Sequence, residues 1–176
     1  IKDKIDTGFS PNDWYLVFGS GPADSAGAPG KLPNSSLKHV RSEQKARLYV
    51  VDLVELATNS QLVTLDASGT GTTTPSPYQV FSGDNDAFIS SPISVDYDLD
   101  YKADAVYFGT VSYDSSFTGS EWGGKLRRIV INDTATTSSW TGDSVLLDLE
   151  TSMRQPITVA PSVGLDPDNN NWIYFG

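Results

Sequence analysis

Ala105-Val106-Tyr107-Phe108-Gly109 is the stretch that decides how this chain is read, because it has two counterparts: Tyr15-Leu16-Val17-Phe18-Gly19 before it and Trp172-Ile173-Tyr174-Phe175-Gly176 after it. The closing glycines stand 90 and 67 residues apart. Each stretch is short, rich in aromatic and β-branched residues and punctuated by glycine, which is strand composition. Working outward, the last two stretches have matching upstream runs, Pro92-Ile93-Ser94-Val95 and Pro156-Ile157-Thr158-Val159. The first two have matching downstream runs, Arg47-Leu48-Tyr49-Val50-Val51-Asp52 and Lys125-Leu126-Arg127-Arg128-Ile129-Val130. Each unit therefore holds four short strands. One such unit cannot bury both of its faces, and stacked neighbours supply the missing core, which is the logic of a β-propeller blade. The expected fold is all-β, a partial β-propeller of four-stranded antiparallel blades. An incomplete blade spans about 1–90, a complete one about 91–150, and the start of another about 151–176. A closed ring takes at least about four blades, so the chain is expected to be an internal piece of a longer protein.

Between the repeats the chain is less regular. Ser20 to Ser36 is dense in Gly, Pro, Ser and Asn and is expected to be a long loop. Ala46 to Leu53 has apolar spacing that also fits a helix, but its β-branched and aromatic content and its place in the repeat make it a strand. Gln61 to Asp66 is a further strand candidate, Ala67 to Pro77 a loop, and Tyr78 to Ala87 an irregular excursion. Lys125 to Ile131 and Ser144 to Leu149 are expected to complete the central unit.

Inside that unit stands Asp96-Tyr97-Asp98-Leu99-Asp100-Tyr101-Lys102-Ala103-Asp104, with carboxylates at positions 1, 3, 5 and 9. Calcium is a hard cation that takes six to eight oxygens, and a calcium loop supplies side chains from positions 1, 3 and 5 and a main-chain carbonyl from position 7. The expected ligands of Ca2+ are therefore Asp96, Asp98, Asp100, the carbonyl of Lys102, and Asp104 directly or through water. Position 12 is Tyr107, where an EF-hand places a bidentate Glu, so the loop sits on a hairpin rather than between helices. Position 6 is Tyr101, where an EF-hand places Gly, and a bulky residue resists the positive φ required there. An acidic solvated turn accounts for one or two of these residues, since Asp favours turns. Four so close together without a cation repel one another. Asp166-Pro167-Asp168-Asn169-Asn170-Asn171 is expected to be an ordinary hairpin turn instead.

The 176 residues carry 12 basic and 22 acidic side chains, a net charge of −10, which disfavours binding to nucleic-acid phosphates and favours divalent cations. No apolar run is long enough to span a membrane, so no membrane insertion is expected in this segment. The absence of cysteine removes disulfides, thiolate metal sites and cysteine nucleophiles. One basic cluster, Lys38, His39, Arg41, Lys45 and Arg47, is read as solvated loop charge. His39 is the only histidine, and no nucleophile elbow accompanies it.

The run from Pro92 to Val111, the run Gly123-Gly124-Lys125 to Asp133, and Arg154 to Gly176 together resemble the C-terminal β-propeller of the PilY family, type IV pilus tip-associated adhesins and pilus-biogenesis factors. The resemblance is best from Pro92 to Gly176 and weak from Ser20 to Ser90. It implies a calcium loop of the form DxDxDxxxD between two strands of one blade, matched by Asp96, Asp98, Asp100 and Asp104, with Lys102 giving its main-chain oxygen. Family members often carry Gly where this chain has Tyr101. The resemblance further implies export to the cell surface, pilus components such as pilins or a surface ligand as partners, and calcium control of pilus extension and retraction. No Arg-Gly-Asp triplet is present, so integrin-type adhesion is not implied. The blades are also similar to those of quinoprotein dehydrogenases, which need a cofactor pocket and a catalytic carboxylate. The Asp loop is too dense for general acid–base work, and a non-enzymatic chain is expected. A third reading is a structural or lectin-like blade in which calcium only stiffens a loop.

Overall fold

The computed structural model describes residues 14–22, 42–53, 57, 78–82, 84–114, 122–131, 140–150, 153–168 and 170–176. Among them the chain is all-β: β1 (Tyr15–Gly19), β2 (Arg47–Asp52), β3 (Tyr78–Ser82), β4 (Ala87–Ile89), β5 (Ile93–Val95), β6 (Ala105–Tyr113), β7 (Trp122–Gly123), β8 (Lys125–Ile131), β9 (Trp140–Asp148), β10 (Ser162–Leu165) and β11 (Asn171–Tyr174). No helix among the described residues is long and apolar enough to cross a membrane. The strands form three antiparallel sheets. The first runs β1-β2-β3 and the second β4-β6-β8-β9, with β5 and β7 also paired to β6; the third is β10-β11.

Register shows that the sheets repeat one another. Gly19 pairs with Leu48 and Leu48 with Phe81, as Gly109 pairs with Leu126 and Leu126 with Leu147. The meander β1-β2-β3 is thus repeated as β6-β8-β9. In the second sheet β5 adds a first strand, Val95 opposite Ala105, and completes a four-stranded unit. The third sheet repeats its opening, since Ser162 faces Tyr174 as Ile93 faces Tyr107.

Two of the expectations need correction. The matching upstream runs are not Pro92–Val95 and Pro156–Val159, because the strand that pairs with β11 is β10, beginning at Ser162. Pairing, not sequence similarity, sets which residues correspond, and it makes Pro161 the counterpart of Pro92. The stretch from Tyr78 to Ala87 is not wholly irregular: it contains β3 and leads into β4, which joins the second sheet. The ladder of β3 is set by its pairing with β2, a nonlocal contact that local composition does not reveal. The expected strand at Gln61 to Asp66, the long loop at Ser20 to Ser36 beyond Pro22, and His39 lie outside the described residues.

The core lies between the sheets. Tyr15, Leu48 and Val50 of the first sheet pack with Val106, Phe108, Ile129 and Ile131 of the second, with Ala87 and Ile89 between them. On the opposite face of the second sheet, Leu126, Leu149 and Ile157 pack with Ile173 of the third. Strand β6 is consequently buried on both faces from Ala105 to Val111, which is why it reads as a continuous apolar run rather than an alternating one. The aromatic pair Tyr107-Phe108 is buried, with Phe108 in the core between the first two sheets. Its counterpart Tyr174-Phe175 is not: Tyr174 is 62% exposed where Tyr107 is 1%, because among the described residues no further sheet covers it.

An ion cluster ties the ends of these strands together. Lys125 Nζ lies 2.6 Å from Asp84 and 2.8 Å from Glu150, Arg127 lies 3.0 Å from the other oxygen of Asp84, and Ser112 Oγ donates to Glu150 at 2.8 Å. Burial pulls the Lys125 ammonium toward neutrality, but its hydrogen bonds to Asp84 and Glu150 and their charges outweigh this and raise its pKa.

Candidate metal centre

The nine residues 96–104 connect β5 to β6. Their exit is held to the sheet by backbone bonds, Asp104 N–H to Val95 C=O at 2.8 Å and Ile131 N–H to Asp104 C=O at 2.8 Å. Between these anchors the aspartates bend the chain by accepting hydrogen bonds from amides a few residues on, the local habit that makes Asp a turn residue. Asp96 accepts from Asp100 N–H at 3.3 Å and Tyr101 N–H at 2.7 Å. Asp98 also accepts from Asp100 N–H at 3.3 Å, and Asp100 from Lys102 N–H at 2.9 Å. Asp104 Oδ2 reaches back across the loop to accept from Tyr97 N–H at 2.6 Å.

This curl requires two left-handed residues. Leu99 has φ 60° and Tyr101 φ 69°, a conformation that costs an L-residue about 1–2 kcal/mol. Tyr101 therefore adopts the positive φ that the calcium-loop pattern demands at position 6, with its side chain in solvent at 91% exposure. The conflict seen in the sequence is met by backbone strain, not by a different turn. Leu99, 71% exposed, was not singled out by sequence reasoning.

The result is a convergence of three carboxylates. One oxygen each from Asp96, Asp98 and Asp104 lie within 4.8 Å of one another, the one such group of acidic or metal-ligating side chains among the described residues. Asp104 is buried, Asp96 half-buried and Asp98 exposed, so the cluster opens to solvent at one side. Asp100, expected beside them, is not in the group; its Oδ1 instead engages the Lys102 amide. Lys102 is half-buried at the loop's far end.

Below the loop, the Tyr97 and Tyr107 hydroxyls share a hydrogen bond. Burial, that bond and the neighbouring Tyr107 raise the Tyr97 pKa, so the phenol stays protonated. This pair fastens the loop to β6. Nothing in the sequence distinguishes it, since the contact depends on how the loop folds back over the strand.

The second acidic turn is built differently. Asp166 Oδ1 accepts from Asp168 N–H at 2.9 Å and Asn170 N–H at 2.8 Å, while Oδ2 accepts from Asn170 Nδ2 at 2.9 Å and Trp172 Nε1 at 3.0 Å. Both oxygens are used inside the turn, as expected of a hairpin rather than an ion loop. No protein-family model, curated protein or solved structure matches this chain.

Proposed function

We propose that the chain is a calcium-binding segment of a β-propeller from an exported, type IV pilus-associated adhesin or biogenesis factor of the PilY kind, in which calcium occupancy regulates pilus extension, retraction and surface attachment. The observation that carries the metal reading is the convergence of Asp96, Asp98 and Asp104 within 4.8 Å. Oxygens held about 2.3–2.6 Å from a common calcium ion lie at most about 5 Å apart, so the three fit around one ion. Asp96, Asp98 and Asp104 would hold it, with the Lys102 carbonyl and water completing the shell. The ion supplies positive charge that relieves carboxylate repulsion of roughly 1–4 kcal/mol per pair at this spacing.

Asp104 leads directly into β6 and is bonded through its backbone to both β5 and β8, so ion occupancy bears on the ordering of the unit's first three strands. The repeated meanders support the propeller reading, and the resemblance of the stretch from Pro92 onward to PilY-type propellers supports the pilus assignment. Calorimetry tests the metal: saturable calcium binding is expected, abolished in Asp98→Ala/Asp104→Ala, and equal heats in the two proteins would reject it. Pull-down of pilins with and without chelator tests regulation. A lowered melting temperature on chelation with unchanged partner capture would leave calcium a purely structural role.

A further inference from the structure

One device joins each sheet to the next. A Cβ on Gly19 would collide with the side chain of Ile89, and a Cβ on Gly109 with that of Ile157. In each case the isoleucine amide donates to the residue after the glycine, Ile89 to Ser20 C=O at 3.0 Å and Ile157 to Thr110 C=O at 3.2 Å. The residue after the isoleucine then bonds the next sheet's own glycine: Ser90 N–H to Gly109 C=O and Thr158 N–H to Gly176 C=O, both at 2.9 Å. The hydroxyl after the glycine is repeated too, Ser20 Oγ accepting from Arg47 N–H and Thr110 Oγ1 from Lys125 N–H, both at 2.9 Å. An Ile-Ser or Ile-Thr pair thus stitches one sheet to the next.

The third sheet carries the same glycine with its socket open. Among the described residues, nothing lies within 4 Å of a Cβ built on Gly176. The same face exposes Tyr174 and Trp172, counterparts of the buried Tyr107 and Ala105. We propose that this face docks a further sheet of the same repeat, which seats an isoleucine on Gly176 and covers Tyr174 and Trp172. The occupant follows from continuity, because both junctions present use this one interface and the third sheet offers its receiving half. The inference rests on the reading of the sheets as successive propeller blades and is independent of the ion loop.

The test appends a second copy of residues 110–176 after Gly176, which places a second Ile157 at the native separation from the socket. The chain has no cysteine, so Trp172→Cys in the parent repeat is a unique reporter if the appended copy keeps its tryptophan. We expect its alkylation rate to fall at least tenfold on extension, the melting temperature to rise, and the rate to recover when the appended isoleucine is changed by Ile157→Asp. An unchanged rate overturns the proposal, as does an appended repeat that stays unfolded, since the docked face is its folding template. Self-association of the unextended chain in sedimentation, with the reporter already protected, would give the face to a second copy and also overturn it. Calcium titration of the same extended chain reads the ion loop separately.

Discussion

Ile157 occupies the space that a side chain on Gly109 would need, just as Ile89 does at Gly19. Neither glycine has a positive φ, so what demands glycine here is the close approach of a neighbouring sheet. The glycine that ends each of the first two repeats is therefore a packing feature between sheets and not a turn.

Gly109→Ala should consequently destabilise the fold by about 1–3 kcal/mol, the range for overpacking a filled core. Its Cβ meets the Ile157 backbone carbonyl as well as the side chain, so a rotamer change does not relieve the clash. Gly164→Ala is the control: its nearest neighbour, Tyr174, lies at an ordinary 3.6 Å, and a change under about 1 kcal/mol is expected. Urea unfolding of both variants decides it.

Among the loop carboxylates, position in the cluster should decide the effect of removal. Asp98→Ala is expected to weaken calcium binding by roughly tenfold or more, and Asp100→Ala by clearly less, because only the first belongs to the convergent group. Calcium at about 100 times its Kd should stabilise the wild type by about 2.7 kcal/mol, reversed by chelator. Calorimetry and thermal melts measure the two effects.

Tyr101→Gly should stabilise the protein and tighten calcium binding. Glycine removes the left-handed penalty at φ 69° at some cost in unfolded-chain entropy, a net gain of about 1 kcal/mol or less. The exposed ring gives up little packing. A loss of stability in denaturant titration would count against strain at this residue.

Acid should reach the last hairpin late. Hydrogen bonds from the Trp172 indole and from Asn170 lower the Asp166 carboxyl from 3.8 to about 2. A depressed carboxylate contributes stability that is complete above its unfolded value and is lost as pH falls through its folded one. The Trp172 indole N–H resonance should therefore shift with a midpoint near pH 2, and a midpoint near 4 would show that the bonds do not persist in solution. Asp166→Asn should remove the titration.

Much of the architecture was legible in the residues. Ala105 to Gly109 and its two counterparts announced strands, because β-branched and aromatic residues closed by glycine suit a covered sheet. The pairing of Gly19 with Leu48 and Gly109 with Leu126 follows the repeat seen in the chain. Upstream, Pro-Ile-Ser-Val and Pro-Ile-Thr-Val look alike but are not structural counterparts, because β10 is defined by its hydrogen bonds to β11. Likewise β3 has little local periodicity and exists as a partner of β2.

By itself the sequence determined the strand-rich repeat and the acidic loop at residues 96–104, since both depend on local composition and spacing. Only the tertiary structure decided that Asp96, Asp98 and Asp104 meet while Asp100 turns to Lys102, because backbone amides and two left-handed residues set the curl. It alone decided, too, that Tyr107 is buried and Tyr174 exposed. Their surroundings in the chain are nearly the same, and burial is a property of what stacks against a strand, not of the strand.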